Sequence, residues 1–182
     1  MGKELPKIKN MVVSVDFADR LDLNDISRRL ENTEYEPEQF PGLTYKVKNP
    51  KATALIFSSG KMNCTGTRSM EDTKRVINYI LRKLKELGVQ IKKPKIVVQN
   101  IVATASLEGR VNLDKIAFEL ENSEYEPEQF PGLVYRMKNP KIAFLIFSSG
   151  KIVETGARDT KMMNDAYKKL NVELKKIGAF KI

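Results

Sequence analysis

The sequence holds a single cysteine, Cys64, and no histidine. One thiol cannot build a disulfide scaffold, and without histidine the Cys/His zinc sites and every His-dependent catalytic triad are excluded. Long apolar runs are missing too. The longest, Ile142 to Phe147, has six residues, far short of the roughly 20 that cross a bilayer as a helix. The opening MGKELPKIKN lacks the apolar stretch of a secretory signal. What is present is a chain of 182 residues, 41% apolar and 30% charged, a composition of folded rather than disordered protein. Its length allows one domain or two small ones. Lys and Arg number 32 against 23 Asp and Glu, a net charge of +9, which points toward nucleic acid or another anionic surface. A basic, soluble, intracellular binding protein is the expectation.

The chain repeats itself without a gap. A shift of 90 residues superposes Asn10 on Asn100, Tyr35 on Tyr125, Phe57 on Phe147 and Gly88 on Gly178. Between Leu30 and Lys61, 25 of 32 positions are identical to their partners at 120–151. The shared core reads EYEPEQFPGL, then KNPK, then LIFSSGK. Residues 88–95 (GVQIKKPK) read as a linker, with Gly88 as a helix C-cap and Pro94 as a breaker. The expected division is a first repeat at 1–91 and a second at 92–182, joined into one continuous structure with a pseudo-twofold axis. Each half carries 16 basic residues, against 12 acidic ones in the first and 11 in the second. A partner that looks alike from both directions fits such a chain, and duplex nucleic acid does.

Within each half, residues 8–17 (IKNMVVSVDF) read as a strand. Asp22 offers an N-cap to a short helix carrying Leu23, Ile26 and Leu30 on one face. The prolines of EYEPEQFPGL forbid a central strand, and Pro41-Gly42 suits a type II turn. Strands follow around Leu43–Lys48, Ala52–Phe57 and Lys61–Gly66, with Ser58-Ser59-Gly60 as a hairpin turn. A long helix then starts at Ser69, its stripe formed by Ile77, Ile80, Leu81, Leu84 and Leu87. The second half repeats these elements, with Tyr167, Leu170, Leu174 and Ile177 on its stripe. Two helices cover only one face of such a sheet, giving a two-layer α+β unit. Yet alternation puts Leu55 and Phe57 opposite Ala54 and Ile56, and turns Asn10, Val12 and Ser14 away from Met11, Val13 and Val15. The second face is thus largely apolar with no helix to cover it. A fully buried sheet, a dimer interface, or a broad surface for something flat would each explain it.

The duplicated EYEPEQFPGL…YRMKNPK…LIFSSGK…TG, with QNIVAT opening the second half, resembles the TATA-box-binding protein family in its archaeal form. The likeness runs from about residue 8 to residue 178. It implies a saddle: a curved ten-stranded antiparallel sheet with four helices on the convex back, whose concave side enters the minor groove of a TATA element in promoters and bends it. DNA bending is a property for which this family is itself a standard example. The resemblance further implies four wedges, Phe40 with Phe57 and Phe130 with Phe147. It implies a polar set of Asn10, Asn100, Thr65 and Thr155, and an apolar floor of Val12, Val102, Leu55, Leu145 and Val153. At Asn63 the chain departs from the family, which usually has valine there, as the copy Val153 does. Glu126, Glu128 and Gln129 are implied contacts for transcription factor B, through which RNA polymerase is recruited indirectly.

These residue types suit that chemistry. The minor groove of A·T pairs shows only acceptors, while guanine adds a protruding amino group. Asn and Thr can donate to the acceptors, and Val and Leu leave the amino group unpaired, which rejects G·C. Phe is flat and strands no polar atom between bases. Lys46, Arg136, Lys61, Lys151, Arg68 and Arg158, on or beside strands, are the expected phosphate contacts. Lys74, Arg75, Arg82, Lys83 and Lys85 on the long helix form either a solvated face or a site for regulators. Cys64 should point into the core. No acid/base pair, metal cluster or cofactor motif stands out, so a non-enzymatic factor without cofactor or membrane, in the cytoplasm at the nucleoid, is expected. The competing readings are another sheet-based nucleic-acid module, RNA-binding or part of a processing enzyme, and a structural homodimer. The same apolar face leaves a homodimer open to the free protein, without fixing its oligomeric state.

Overall fold

In strand β1 (Lys7–Asp16) Met11, Val13 and Val15 are buried while Val12, Ser14 and Asp16 stay half-exposed. That period of two is the mark of a strand with one covered face. The computed structural model describes residues 4–182. They form two compact units, Asn10–Gln99, and residues 4–9 together with Asn100–Ile182. The units divide within β1 and within β6 (Lys95–Ser106), not in the 88–95 segment.

The Asn10–Gln99 unit adds α1 (Leu23–Arg29), β2 (Thr33–Glu34), β3 (Leu43–Lys48), β4 (Lys51–Ile56), β5 (Lys61–Thr67) and α2 (Met70–Glu86). Its strands lie in the order β2-β3-β4-β5-β1, each pair antiparallel. The other unit contains α3 (Leu113–Glu119), β7 (Ser123–Glu124), β8 (Leu133–Met137), β9 (Ile142–Ile146), β10 (Lys151–Ala157) and α4 (Thr160–Lys176). Its order is β6-β10-β9-β8-β7.

The helices begin and end where local chemistry requires. Asp22 and Ser69 accept hydrogen bonds from the amides of Asp25 and Asp72, and Asn112 and Asp159 repeat this from Lys115 and Met162, filling donors that a helix start leaves orphaned. At the end of α2 the Gly88 and Val89 amides bond back to the Lys85 and Leu84 carbonyls, closing the helix in a Schellman motif. Gly178 and Ala179 do the same for α4.

One face of each unit is covered. Val76, Ile77, Ile80 and Leu84 of α2 are fully buried with Val13, Ala54, Ile56, Met62 and Cys64 of the strands. Leu170 and Leu174 of α4 are buried with Ala103, Phe144, Ile146 and Ile152. Each large aliphatic side chain so buried contributes about 1.5–3 kcal/mol. Burial pushes the Cys64 thiol up to about 12, so it is a packing residue, as its place in the alternation implies. One expectation is corrected. Gly42 does not adopt the positive φ that a type II turn at Pro41-Gly42 needs; the reason for glycine there is space beside the Phe40 and Phe57 rings.

The second unit carries an exception in its core. Glu154 on β10 is 1% exposed, and neither carboxylate oxygen has a hydrogen-bond partner. It stands opposite Phe144 and Ala103 on the neighbouring strands, and burial raises its carboxyl to about 8. The repeat places Cys64 at the equivalent position.

Candidate nucleic-acid interface

The face opposite the helices is not roofed by protein within either unit. Val12, Leu55, Asn63 and Thr65 in one unit, and Val102, Leu145, Val153 and Thr155 in the other, are half-exposed; all but the two threonines lie between residues buried on the helix side, and each threonine follows one and precedes a bulge glycine. Register brings them together. Leu55 and Ser14 stand on either side of Asn63, and Thr53 and Val12 on either side of Thr65. In the second unit Leu145 and Thr104 flank Val153, while Ala143 and Val102 flank Thr155.

The phenylalanines pair as expected and remain accessible. Phe40 and Phe57 meet edge to face with ring centres 6.0 Å apart, and Phe130 and Phe147 at 5.9 Å. Phe40 is 42% exposed and Phe130 45%, which is unusual for large apolar rings. Each of these two rings sits at the end of a turn in which the Phe amide donates to a glutamate carbonyl, Glu36 or Glu126. A side chain at Gly42 would stand 2.6 Å from the Phe40 ring and 2.9 Å from the Phe57 ring. At Gly132 it would stand 2.7 Å from Phe130 and 3.1 Å from both Phe147 and Leu145. Glycine is therefore what lets each pair close over the end of its sheet.

The asparagines are held in one orientation. Asn10 Oδ1 accepts from the Gly66 amide at 2.7 Å and from Thr65 Oγ1 at 3.2 Å. Asn100 Oδ1 accepts from the Gly156 amide at 2.6 Å, and its Nδ2 donates to Thr155 Oγ1 at 2.9 Å. Gly66 and Gly156 lie where the strand register slips, at φ of +107° and +115°, a bulge conformation that favours glycine. The bulge turns a backbone N–H onto each Asn carbonyl. A backbone amide can only donate, so both side-chain oxygens are occupied, and the Asn10 NH₂ group and the second N–H of the Asn100 NH₂ group are left as the free donors.

Lys46, Lys61, Lys151, Arg68 and Arg158 are exposed and make no ion pair among the described residues. Arg136 pairs with Glu124 at 3.4 Å, an exposed contact worth little and open to competition. Lys61 borders the same hollow as Phe57, and Lys151 the same hollow as Phe147. Glu126, Glu128 and Gln129 are exposed on the turn before Phe130 and make no ion pair with these groups among the described residues. The helix residues Lys74, Arg75, Arg82 and Lys85 are exposed on α2, with Lys83 half-exposed. Sequence reasoning missed several residues. Leu5, Lys7 and Thr104 line the hollow beside Phe147 and Val153, and Gln99 Nε2 donates to Ser14 Oγ at 2.9 Å. The alternation of β6 points to Thr104, but nothing local points to Leu5. No group of three or more Cys, Asp or Glu able to hold a metal occurs among the described residues, and no helix there is long and apolar enough to cross a membrane.

The family described as "Transcription factor TFIID (or TATA-binding protein, TBP)" matches this chain twice, over residues 5–87 and 95–177. The TATA-box-binding protein of Thermoplasma acidophilum is 50% identical over 179 residues, covering 97% of each chain. That of Archaeoglobus fulgidus is 49% identical over 175 residues, covering 94% of this chain and 96% of its own. The solved structure titled "Methanococcus jannaschii TBP" superposes with a TM-score of 0.90 at 48% identity, over 95% of this chain and 99% of that one. The fold implied by the duplicated motifs, ten antiparallel strands and four helices in two repeats, is thus the fold of this chain. On two repeats matched and near full-length identity of about half, the chain belongs to the TATA-binding protein family.

Proposed function

We propose that the chain is a general transcription initiation factor that binds the minor groove of A·T-rich TATA elements through the uncovered face of its sheet. The observation that carries this reading is the fixed orientation of Asn10 and Asn100, whose carbonyls are taken by the Gly66 and Gly156 amides. Each amide then offers donors only, and the floor of an A·T minor groove offers acceptors only. Around the asparagines the side chains are Val, Leu and Thr. The Val and Leu side chains offer the exocyclic amine of guanine no acceptor, a desolvation cost of about 1–3 kcal/mol.

The Phe pairs supply the second half of the proposal. Inserted between base steps, flat rings unstack the duplex at a cost of a few kcal/mol. That cost falls at flexible TA steps, so the sequence is read through deformability as well as contact. Lys46, Lys61, Lys151, Arg68, Arg136 and Arg158 neutralise phosphates and give most of the affinity. The protein performs no chemistry on the DNA. Its product is a bent, marked site on which transcription factor B docks against Glu126, Glu128 and Gln129, bringing RNA polymerase indirectly. The first turn carries the same glutamates, Glu36 and Glu38, equally exposed, so the turn alone does not choose an end.

The test is competition binding of a labelled TATA duplex against A·T-rich and G·C-substituted duplexes at several salt concentrations, with end-to-end energy transfer reporting shape. Selective binding to the A·T duplex, a shortened end-to-end distance and a log–log salt slope of about −5 are expected for six phosphate contacts. Equal binding to both duplexes, or full affinity for a straight probe, would refute the proposal.

A further inference from the structure

Beside Phe57 and beside Phe147 lie two hollows related by the repeat, and their linings differ where specificity is decided. The first is bordered by Ser14, Asp16, Phe57, Lys61 and Asn63. The second has Thr104, Ser106, Phe147, Lys151 and Val153 in the corresponding places. The exchange that matters is Asn63 for Val153. Asn63 sits between Met62 and Cys64, both fully buried on the helix side, so its own side chain lies on the uncovered face. Its cross-strand neighbours are Leu55 and Ser14. The Ser14 hydroxyl is engaged with Gln99 Nε2.

Asn63 differs from Asn10 and Asn100 in one chemical respect. Their carbonyls are occupied by backbone amides; the side chain of Asn63 makes no hydrogen bond among the described residues, so its amide carbonyl is free to accept. The one minor-groove feature that separates G·C from A·T is a donor, the guanine N2 amine. A free amide carbonyl is a matching acceptor for that amine, whereas the valine at position 153 offers none.

We propose that Asn63 is a specificity-determining residue, which makes the half of the element lying against the first repeat tolerant of a G·C pair while the half against Val153 demands A·T. This rests on the minor-groove reading above. Its consequence is that the two halves of the protein are not equivalent readers, so the chain itself orients on an element with G·C in one half.

The test uses a palindromic A·T element into which a G·C pair is moved, position by position, through one half or symmetrically through both. Parallel duplexes carry inosine in place of guanine, which removes only the amine. At the position facing Asn63 the wild-type protein is expected to lose no more than about twofold on single substitution, since one of two orientations remains productive. Double substitution should cost about tenfold. The inosine duplexes should bind like the parent. Asn63→Val should make the single substitution cost about tenfold, and Val153→Asn should remove the penalty of the double one. Because both side chains lie on the uncovered face, either variant serves if the other fails to fold. If wild type and Asn63→Val respond alike at every position while the A·T element is still bound and bent, the specificity role is overturned and the minor-groove function stands. If the unsubstituted A·T element is not preferred over an all-G·C competitor, the functional reading fails first.

Discussion

Replacing Glu154 by cysteine, the residue its repeat partner carries, is expected to stabilise the fold by about 3 kcal/mol at pH 7. Glu154 is 1% exposed with both oxygens unpaired. Its carboxyl, ordinarily at 4.5, is raised by burial to about 8. In the folded protein it therefore keeps its proton up to about pH 8, while in the unfolded chain it loses it above about 4.5. Between those values the unfolded state binds fewer protons, so stability falls as pH rises, and the loss levels off above pH 8. Urea unfolding from pH 5 to pH 9 should show this decline for the wild type. Glu154→Cys and Glu154→Gln should both lack it, although the glutamine still buries an unpaired amide and gains less at neutral pH. A wild-type slope no steeper than that of Glu154→Gln would show that the carboxyl is not isolated. The effect matters for binding because β10 also carries Val153 and Thr155 on its other face.

Removing both rings of one pair, Phe130→Ala with Phe147→Ala, is expected to lower affinity for an A·T element on the order of 100-fold. Affinity for non-specific duplex should move by less than about threefold, because that binding comes from phosphate contacts the variant keeps. Phe130 is 45% exposed and Phe147 half-buried, so the fold loses little when the rings go. The rings are expected to earn their energy only when bases separate around them. End-to-end energy transfer should report a duplex straightened at one end. A double variant that bends the element as the wild type does would remove the wedge role from this pair.

Much of this molecule is legible in its sequence, for identifiable reasons. A gapless repeat fixes every element twice, so the Asp22 cap, the Ser69 cap and the hairpin at Ser58–Gly60 are each supported by a second copy. Strict alternation places Cys64 inside and Thr65 outside, and the structure agrees. What escaped depends on contacts distant along the chain. Asn10 lies 56 residues from the Gly66 amide that orients it, and no local pattern shows that its carbonyl is occupied. Gly42 reads as a turn former because proline precedes it; its requirement comes from the Phe40 ring together with the Phe57 ring, which lies just past the end of β4 and 15 residues along the chain. Glu154 was within reach, since the repeat aligns it with a cysteine expected inside. A charged residue at an inward position of a strand is the signal that was there to find.

The central claim is that sequence is read through the minor groove, and inosine tests it directly. An I·C pair presents the minor groove of an A·T pair and the major groove of a G·C pair. Affinity should be measured for one element written three ways, with A·T, with I·C and with G·C. The expected result is that the I·C element binds within a few-fold of the A·T element while the G·C element binds no better than non-specific duplex. An I·C element as weak as the G·C one would place recognition in the major groove, and the role assigned to Asn10, Asn100 and the apolar floor would be wrong.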